Sequence, residues 1–165
     1  MARGWVQEAY LSMSTMNTNR SIFIVDDDPF CRTIFRQHLH NLGFTQVRTF
    51  PDGQECLNNL TDQPDIVFLD YEMEPLNGLE VLRKIKRVNP DVYLIIVSGQ
   101  EDMQVAINAL KYGAFDYIIK GEHELTMMDK VLNKVEQVAA LLQQRPARTW
   151  RSSWQKWFTS SNATQ

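Results

Sequence analysis

Between residues 21 and 144, short runs of β-branched and other apolar residues alternate with longer stretches in which apolar positions recur every three or four residues. Residues 21–25 (SIFIV), 46–50, 66–69, 92–97 (VYLIIV) and 117–119 have the length and composition of strands. Several contain no polar position, so neither face could lie against water. Strands buried on both sides require helices on both sides, which a parallel sheet with crossover connections supplies.

The stretches between the strands carry helix punctuation. Asp28 before Pro29 sets a capping carboxylate ahead of a proline at the first helical position, and Cys31, Ile34, Phe35, His38 and Leu42 then mark one face until Gly43. Asp52-Gly53 opens a second helix with Cys56, Leu57 and Leu60 inward. A third, from Gly78, is expected to bury Leu79, Leu82 and Ile85 beside Val81 and Val88, ending before Pro90. The fourth carries Val105, Ala109 and Leu110; the fifth carries Leu125, Met128, Leu132, Val135, Ala139 and Leu142. Five strand-helix units in 124 residues make a complete doubly wound α/β domain. An eight-unit barrel needs about 250 residues, so an open five-stranded parallel sheet is expected.

Composition narrows the function classes. No stretch approaches the roughly 20 apolar residues that span a bilayer, and 17 basic against 20 acidic residues leave no overall positive field for nucleic acid. The charge is unevenly placed. From Arg145 onward the chain carries Arg145, Arg148, Arg151 and Lys156 and no acid, so residues 1–144 hold 13 basic and 20 acidic side chains. That step marks a boundary. Residues 1–20 lack the apolar run of a signal peptide and read as a disordered extension, 21–144 as the folded domain, and 145–165 as a basic, tryptophan-rich tail. Cys31 and Cys56 have no zinc-ligand spacing and read as buried small hydrophobes in a reducing, cytoplasmic setting.

In an open α/β sheet, ligands sit beyond the carboxyl ends of the strands. Here the first strand runs into Asp26, Asp27 and Asp28, the third into Asp70, the fourth into Ser98 and Gly99, and the fifth into Lys120. Parallel strands would bring all of these to one edge. Carboxylates gathered within a few ångströms repel one another unless a cation is present, and an all-oxygen donor set suits Mg2+. Lys120 offers fixed positive charge to phosphoryl oxygens, Ser98 a hydroxyl donor, and an aspartate can act as a nucleophile towards phosphorus.

The segments IFIVDDDP, IVFLDYEMEPLNG, LIIVSG and FDYIIK, in this order and spacing, resemble the receiver domain of two-component response regulators of the chemotaxis-regulator type, over residues 21 to about 143. The resemblance implies a flavodoxin-like sheet of strand order 2-1-3-4-5. It implies that Asp70 accepts a phosphoryl group and that Asp26, Asp27, Asp70 and the Glu72 backbone carbonyl hold Mg2+. Lys120 and Ser98 would contact the phosphoryl group, and Ser98 with Tyr117 would form the switch. The donor would be a sensor histidine kinase or a histidine phosphotransfer protein. A downstream protein effector would read the surface of the fourth helix, fifth strand and fifth helix. On this reading the chain is a signalling switch rather than a turnover enzyme. With about 20 residues after the fifth helix, no direct DNA binding is expected.

Two departures qualify the pattern. Gly121 follows Lys120 where such domains usually have a cis proline, so a trans Lys120–Gly121 bond is expected. The proline of the usual Met-Pro pair comes one position late, in Met73-Glu74-Pro75, so the entry to the third helix is expected to differ. Glu72 adds a carboxylate near the path of an attacking water and is expected to alter dephosphorylation. Other readings stay open. Asp26-x-Asp28 after a strand also suits a haloacid-dehalogenase-like phosphohydrolase, and a receiver-shaped module that is never phosphorylated would keep the same fold. His38, His40 and His123 have no evident catalytic partner, and Arg83, Lys84, Lys86 and Arg87 suit the wet side of the third helix. Trp150, Trp154, Trp157 and Phe158 would form one stripe on a helix, for packing back on the domain, docking a partner or lying on a membrane surface.

Overall fold

The computed structural model describes residues 16–99 and 103–144; the tail at 145–165 and most of the N-terminal extension lie outside them. The elements are β1 (Ile22–Val25), α1 (Pro29–Asn41), β2 (Val47–Phe50), α2 (Gly53–Asn58), a 3-10 turn (Leu60–Asp62), β3 (Ile66–Asp70), α3 (Gly78–Val88), β4 (Tyr93–Ser98), α4 (Met103–Lys111), β5 (Asp116–Ile119) and α5 (Glu124–Gln143). All pairings are parallel, in the order β2-β1-β3-β4-β5. The expected strand order is therefore present. Register aligns the upper ends: Val25 lies beside Leu69, Asp70 beside Val97 and Ser98 beside Ile119.

Alternate residues along each strand feed two cores. Ile22, Ile24, Ile66, Phe68, Ile95 and Val97 pack under Phe35 and Leu39 of α1 and Met128, Leu132 and Val135 of α5. Phe23, Val25, Val67, Leu69, Leu94 and Ile96 face Cys56 of α2, Val81, Leu82 and Ile85 of α3 and Ala109 of α4. Helix starts are set by side chains meeting otherwise unpaired backbone donors, each worth about 1 kcal/mol. Asp28 accepts from Phe30 N at 2.8 Å and Asp52 from Glu55 N at 2.7 Å. Asn77 and Glu80 exchange bonds of 3.0 and 3.1 Å across the first turn of α3.

Several side chains expected to be inward are not. Leu110 is 50% exposed because α4 buries Ala109, and neighbours on a helix point about 100° apart. Val88, the last residue of α3, is 71% exposed, and Leu142 is also exposed. At about 1.5 Å per residue, the 20 residues of α5 extend roughly 30 Å and overhang strands of four to six residues. Leu39 rather than His38 faces the sheet, while His38 Nε2 lies 2.7 Å from Asp129 Oδ1 of α5. Cys56 is buried, but Cys31 is only partly so, its sulfur 3.3 Å from Asp28 Oδ2.

Candidate functional site

Where β1 ends, three bonds hold the acidic loop. Asp26 N donates to Phe50 O at 3.2 Å, Asp26 Oδ1 accepts from Asp28 N at 2.9 Å, and Arg32 Nη1 donates to Asp26 O at 2.6 Å. Asp26 is thereby buried at the sheet edge while Asp27 is exposed. Asp70 closes β3 and is 3% exposed. Lys120 follows β5, its backbone N donating to Ser98 O at 2.8 Å, and its ammonium lies 2.8 Å from Asp26 Oδ2 and 3.0 Å from Asp70 Oδ1. One oxygen each from Asp26, Asp27 and Asp70 falls in a set spanning no more than 4.8 Å. The tips of β1, β3 and β5 thus converge on one pocket.

The remaining sequence-predicted residues lie on the neighbouring strands and loops. Ser98 is fully buried at the end of β4, one strand from Asp70. Tyr117 in β5 is half-buried against the α2-α3-α4 side of the sheet. Glu72 is exposed, and its Oε2 reaches to 3.9 Å from where a side chain on Gly99 would begin. Gly78 N donates to Tyr71 O at 2.9 Å, and a side chain at 78 would collide with the Asp70 carbonyl, so the loop after Asp70 closes tightly only over glycine. The peptide bond Glu74–Pro75 is cis and, among the described residues, no other is; Lys120–Gly121 is trans, as expected.

Burial pushes the Asp70 carboxyl up to about 6, with Lys120 opposing the rise and the charges of Asp26 and Asp27 adding to it. Burial works against the Lys120 ammonium, but hydrogen bonding to Asp26 and Asp70 outweighs it and holds the group above its ordinary range. The Phe30 backbone N–H, above all, holds the Asp28 carboxyl below its usual range, as a capping carboxylate requires. Three carboxylates thus face one ammonium, and like charges 4 Å apart repel by about 4 kcal/mol at an effective dielectric near 20.

Asp26 Oδ2 and Asp70 Oδ1 are buried and have no hydrogen-bond partner of good geometry; the Lys120 ammonium meets both at ion-pair distance. Two buried hard-oxygen donors that share a single ammonium, beside an exposed third carboxylate, fit a divalent cation. Sequence reading missed Arg32, which anchors the Asp26 carbonyl. An arginine one turn into a helix carries no signal of a backbone partner six residues earlier.

A doubly wound parallel sheet with an acidic pocket and a lysine at its carboxyl edge defines a class of small α/β domains. The chain belongs to the response regulator receiver domain family, whose model matches residues 22–132. It is 38% identical over 106 residues to the C4-dicarboxylate transport transcriptional regulatory protein DctD of Rhizobium meliloti, covering 64% of this chain and 23% of that protein. It is 28% identical over 117 residues to the chemotaxis protein CheY of Thermotoga maritima, covering 70% of this chain and 97% of that protein. A response regulator receiver domain structure from Clostridium thermocellum superposes with a TM-score of 0.68 at 29% identity, covering 74% of this chain and 98% of that one. The chain therefore spans about a quarter of the length of the transcriptional regulators it matches and nearly all of CheY. As a receiver domain it is a signal-transduction module of two-component systems. Among the described residues no helix is long and apolar enough to cross a membrane.

Proposed function

We propose that this receiver takes a phosphoryl group on Asp70 from a phosphohistidine of a sensor histidine kinase or histidine phosphotransfer protein and uses it to change its contacts with a protein effector. An Asp70 carboxylate oxygen attacks phosphorus, the new O–P bond forms as the N–P bond of the donor breaks, and the electron pair leaves with the imidazole nitrogen. Such transfer is mostly positioning and charge neutralisation. Lys120, within 3.0 Å of the attacking carboxylate, pairs with the acyl phosphate's oxygens once they form. Asp26, Asp27, Asp70 and the Glu72 carbonyl would hold Mg2+, which when bound supplies positive charge for the phosphoryl oxygens. Ser98, one strand over, donates its hydroxyl to the phosphoryl group, and Tyr117 follows it inward. Full switching by the new dianion needs a bias of about 5.5 kcal/mol between two states.

The observation that carries this reading is the Lys120 ammonium bridging Asp26 and Asp70 at 2.8 and 3.0 Å beside Asp27. Mass spectrometry after treatment with a small phosphodonor and Mg2+ tests it. One phosphoryl group on Asp70, absent in Asp70→Asn, is expected. Modification at Asp26 would favour a haloacid-dehalogenase-like hydrolase, and an unmodified protein a receiver-shaped binding module. The chain's cytoplasmic placement belongs to the same proposal, as does output through protein rather than DNA contacts.

A further inference from the structure

The α4-β5-α5 side carries exposed apolar residues that no other described element covers. Met103, Ile107 and Leu110, spaced by four and then three residues, line the outer side of α4 at 75, 49 and 50% exposure. Ile119 of β5 and Met127 and Leu141 of α5 are also exposed. β5 is an edge strand, and natural sheets often cover such edges with a helix or loop. We propose that the chain's own C-terminal segment, Trp150 to Phe158, docks on this surface.

Reach and spacing single out this occupant. Both α4 and α5 run antiparallel to the strands, so α5 releases the chain at the same end of the domain as Leu110. Trp150 lies six residues beyond Gln144, a reach of up to about 20 Å. Pro146 in between disfavours simple continuation of α5. Trp150, Trp154 and Trp157 then repeat the four-and-three spacing of Met103, Ile107 and Leu110, so two helical stripes of equal length, about 10 Å, can pair antiparallel. Arg151 and Lys156 fall off the tryptophan stripe and stay in water.

Charge supplies a distinguishing signature. Lys111 and Lys130 border the surface, and Lys134 there is paired with Asp116 at 2.8 Å. The domain as a whole is acidic, with 13 basic and 20 acidic side chains over residues 1–144, and the tail is basic, so apolar burial drives docking and opposite charge adds a weak attraction. Salt therefore changes it little, whereas binding to an anionic membrane would weaken steeply with salt. The docked tail covers the side that effectors of such domains read, making tail and effector competitors; that consequence rests on the proposed function, whereas the docking does not.

Three of the four tryptophans lie in the tail, so full-length Trp5→Phe protein makes emission a reporter of the tail alone. Blue-shifted emission and weak acrylamide quenching are expected, with quenching changing little as salt rises. In an Ile107→Lys, Leu110→Lys background the emission should move to the solvent-exposed wavelength and quenching rise about twofold as the effective local concentration of the docked tail is lost. Both positions are half exposed, and circular dichroism and the thermal midpoint verify that the domain stays folded. Equal quenching in both proteins would overturn the proposal. So would a blue shift appearing only with phosphatidylserine vesicles, or one that grows with protein concentration alongside dimers in sedimentation.

Discussion

Asp70 is a carboxylate that the fold buries at a cost, and the cost sets a stability prediction for the metal-free protein. Its carboxyl lies at about 6, raised from 3.8 by burial with Lys120 opposing. At about 1.4 kcal/mol per tenfold change in proton affinity, that rise corresponds to about 3 kcal/mol. Between pH 4 and 6 the folded state holds more protons than the unfolded chain, so stability falls as pH rises through this window. The penalty is absent below about pH 4 and complete above about pH 6. Asp70→Asn keeps the shape and removes the charge, leaving Lys120 paired with Asp26 at 2.8 Å. The variant is expected to be more stable than the native chain by about 1 to 3 kcal/mol at pH 7.5, the upper end being the full penalty net of Lys120 and the lower end allowing for the cost of burying the amide's own polar N–H group. Urea unfolding in EDTA from pH 4 to 8 measures this. The advantage should shrink towards zero at pH 4, and added Mg2+ should stabilise the native chain more than the variant. A variant no more stable than native at pH 7.5, or an advantage that does not depend on pH, would refute the reasoning.

Other consequences are checked more simply. Glu72→Ala should change the lifetime of the acyl phosphate, measured by loss of radiolabel from purified phosphoprotein; equal lifetimes would remove Glu72 from the water path. Arg20 bonds Glu136 of α5 at 2.6 Å with both side chains largely buried, and its guanidinium lies 5.9 Å from the Tyr93 ring centroid. Arg20→Ala should cost about 2 to 4 kcal/mol in urea unfolding, since it strands a partly buried carboxylate. The Cys31 and Cys56 thiols are both pushed up to about 12, chiefly by burial. A thiol reagent at pH 8 should react slowly with both in the native protein and rapidly in urea, because the thiolate is the reactive form.

The strands were legible because a strand buried on both faces leaves a continuous apolar run, as 92–97 shows, and the site because four such runs end in a polar residue able to act on phosphate. Topology then makes neighbours of Asp26, Asp70 and Lys120, which stand 44 and 50 residues apart. Helix faces were less legible. Periodicity nominates a stripe about 100° wide, but how closely a helix approaches the sheet selects the buried positions within it. Small Ala109 lets α4 settle with Leu110 turned outward, and Leu39 displaces His38 from the sheet side of α1.

Composition and order of elements thus determined by themselves that this chain forms a doubly wound sheet with chemistry at its carboxyl edge, because those properties depend on local pattern and connectivity. Pairings between distant residues were decided only in three dimensions. Arg32 on the Asp26 carbonyl, His38 on Asp129 and Arg20 on Glu136 depend on the distance and angle at which packed elements meet. No local pattern encodes those, since each partner alone reads as an ordinary surface charge.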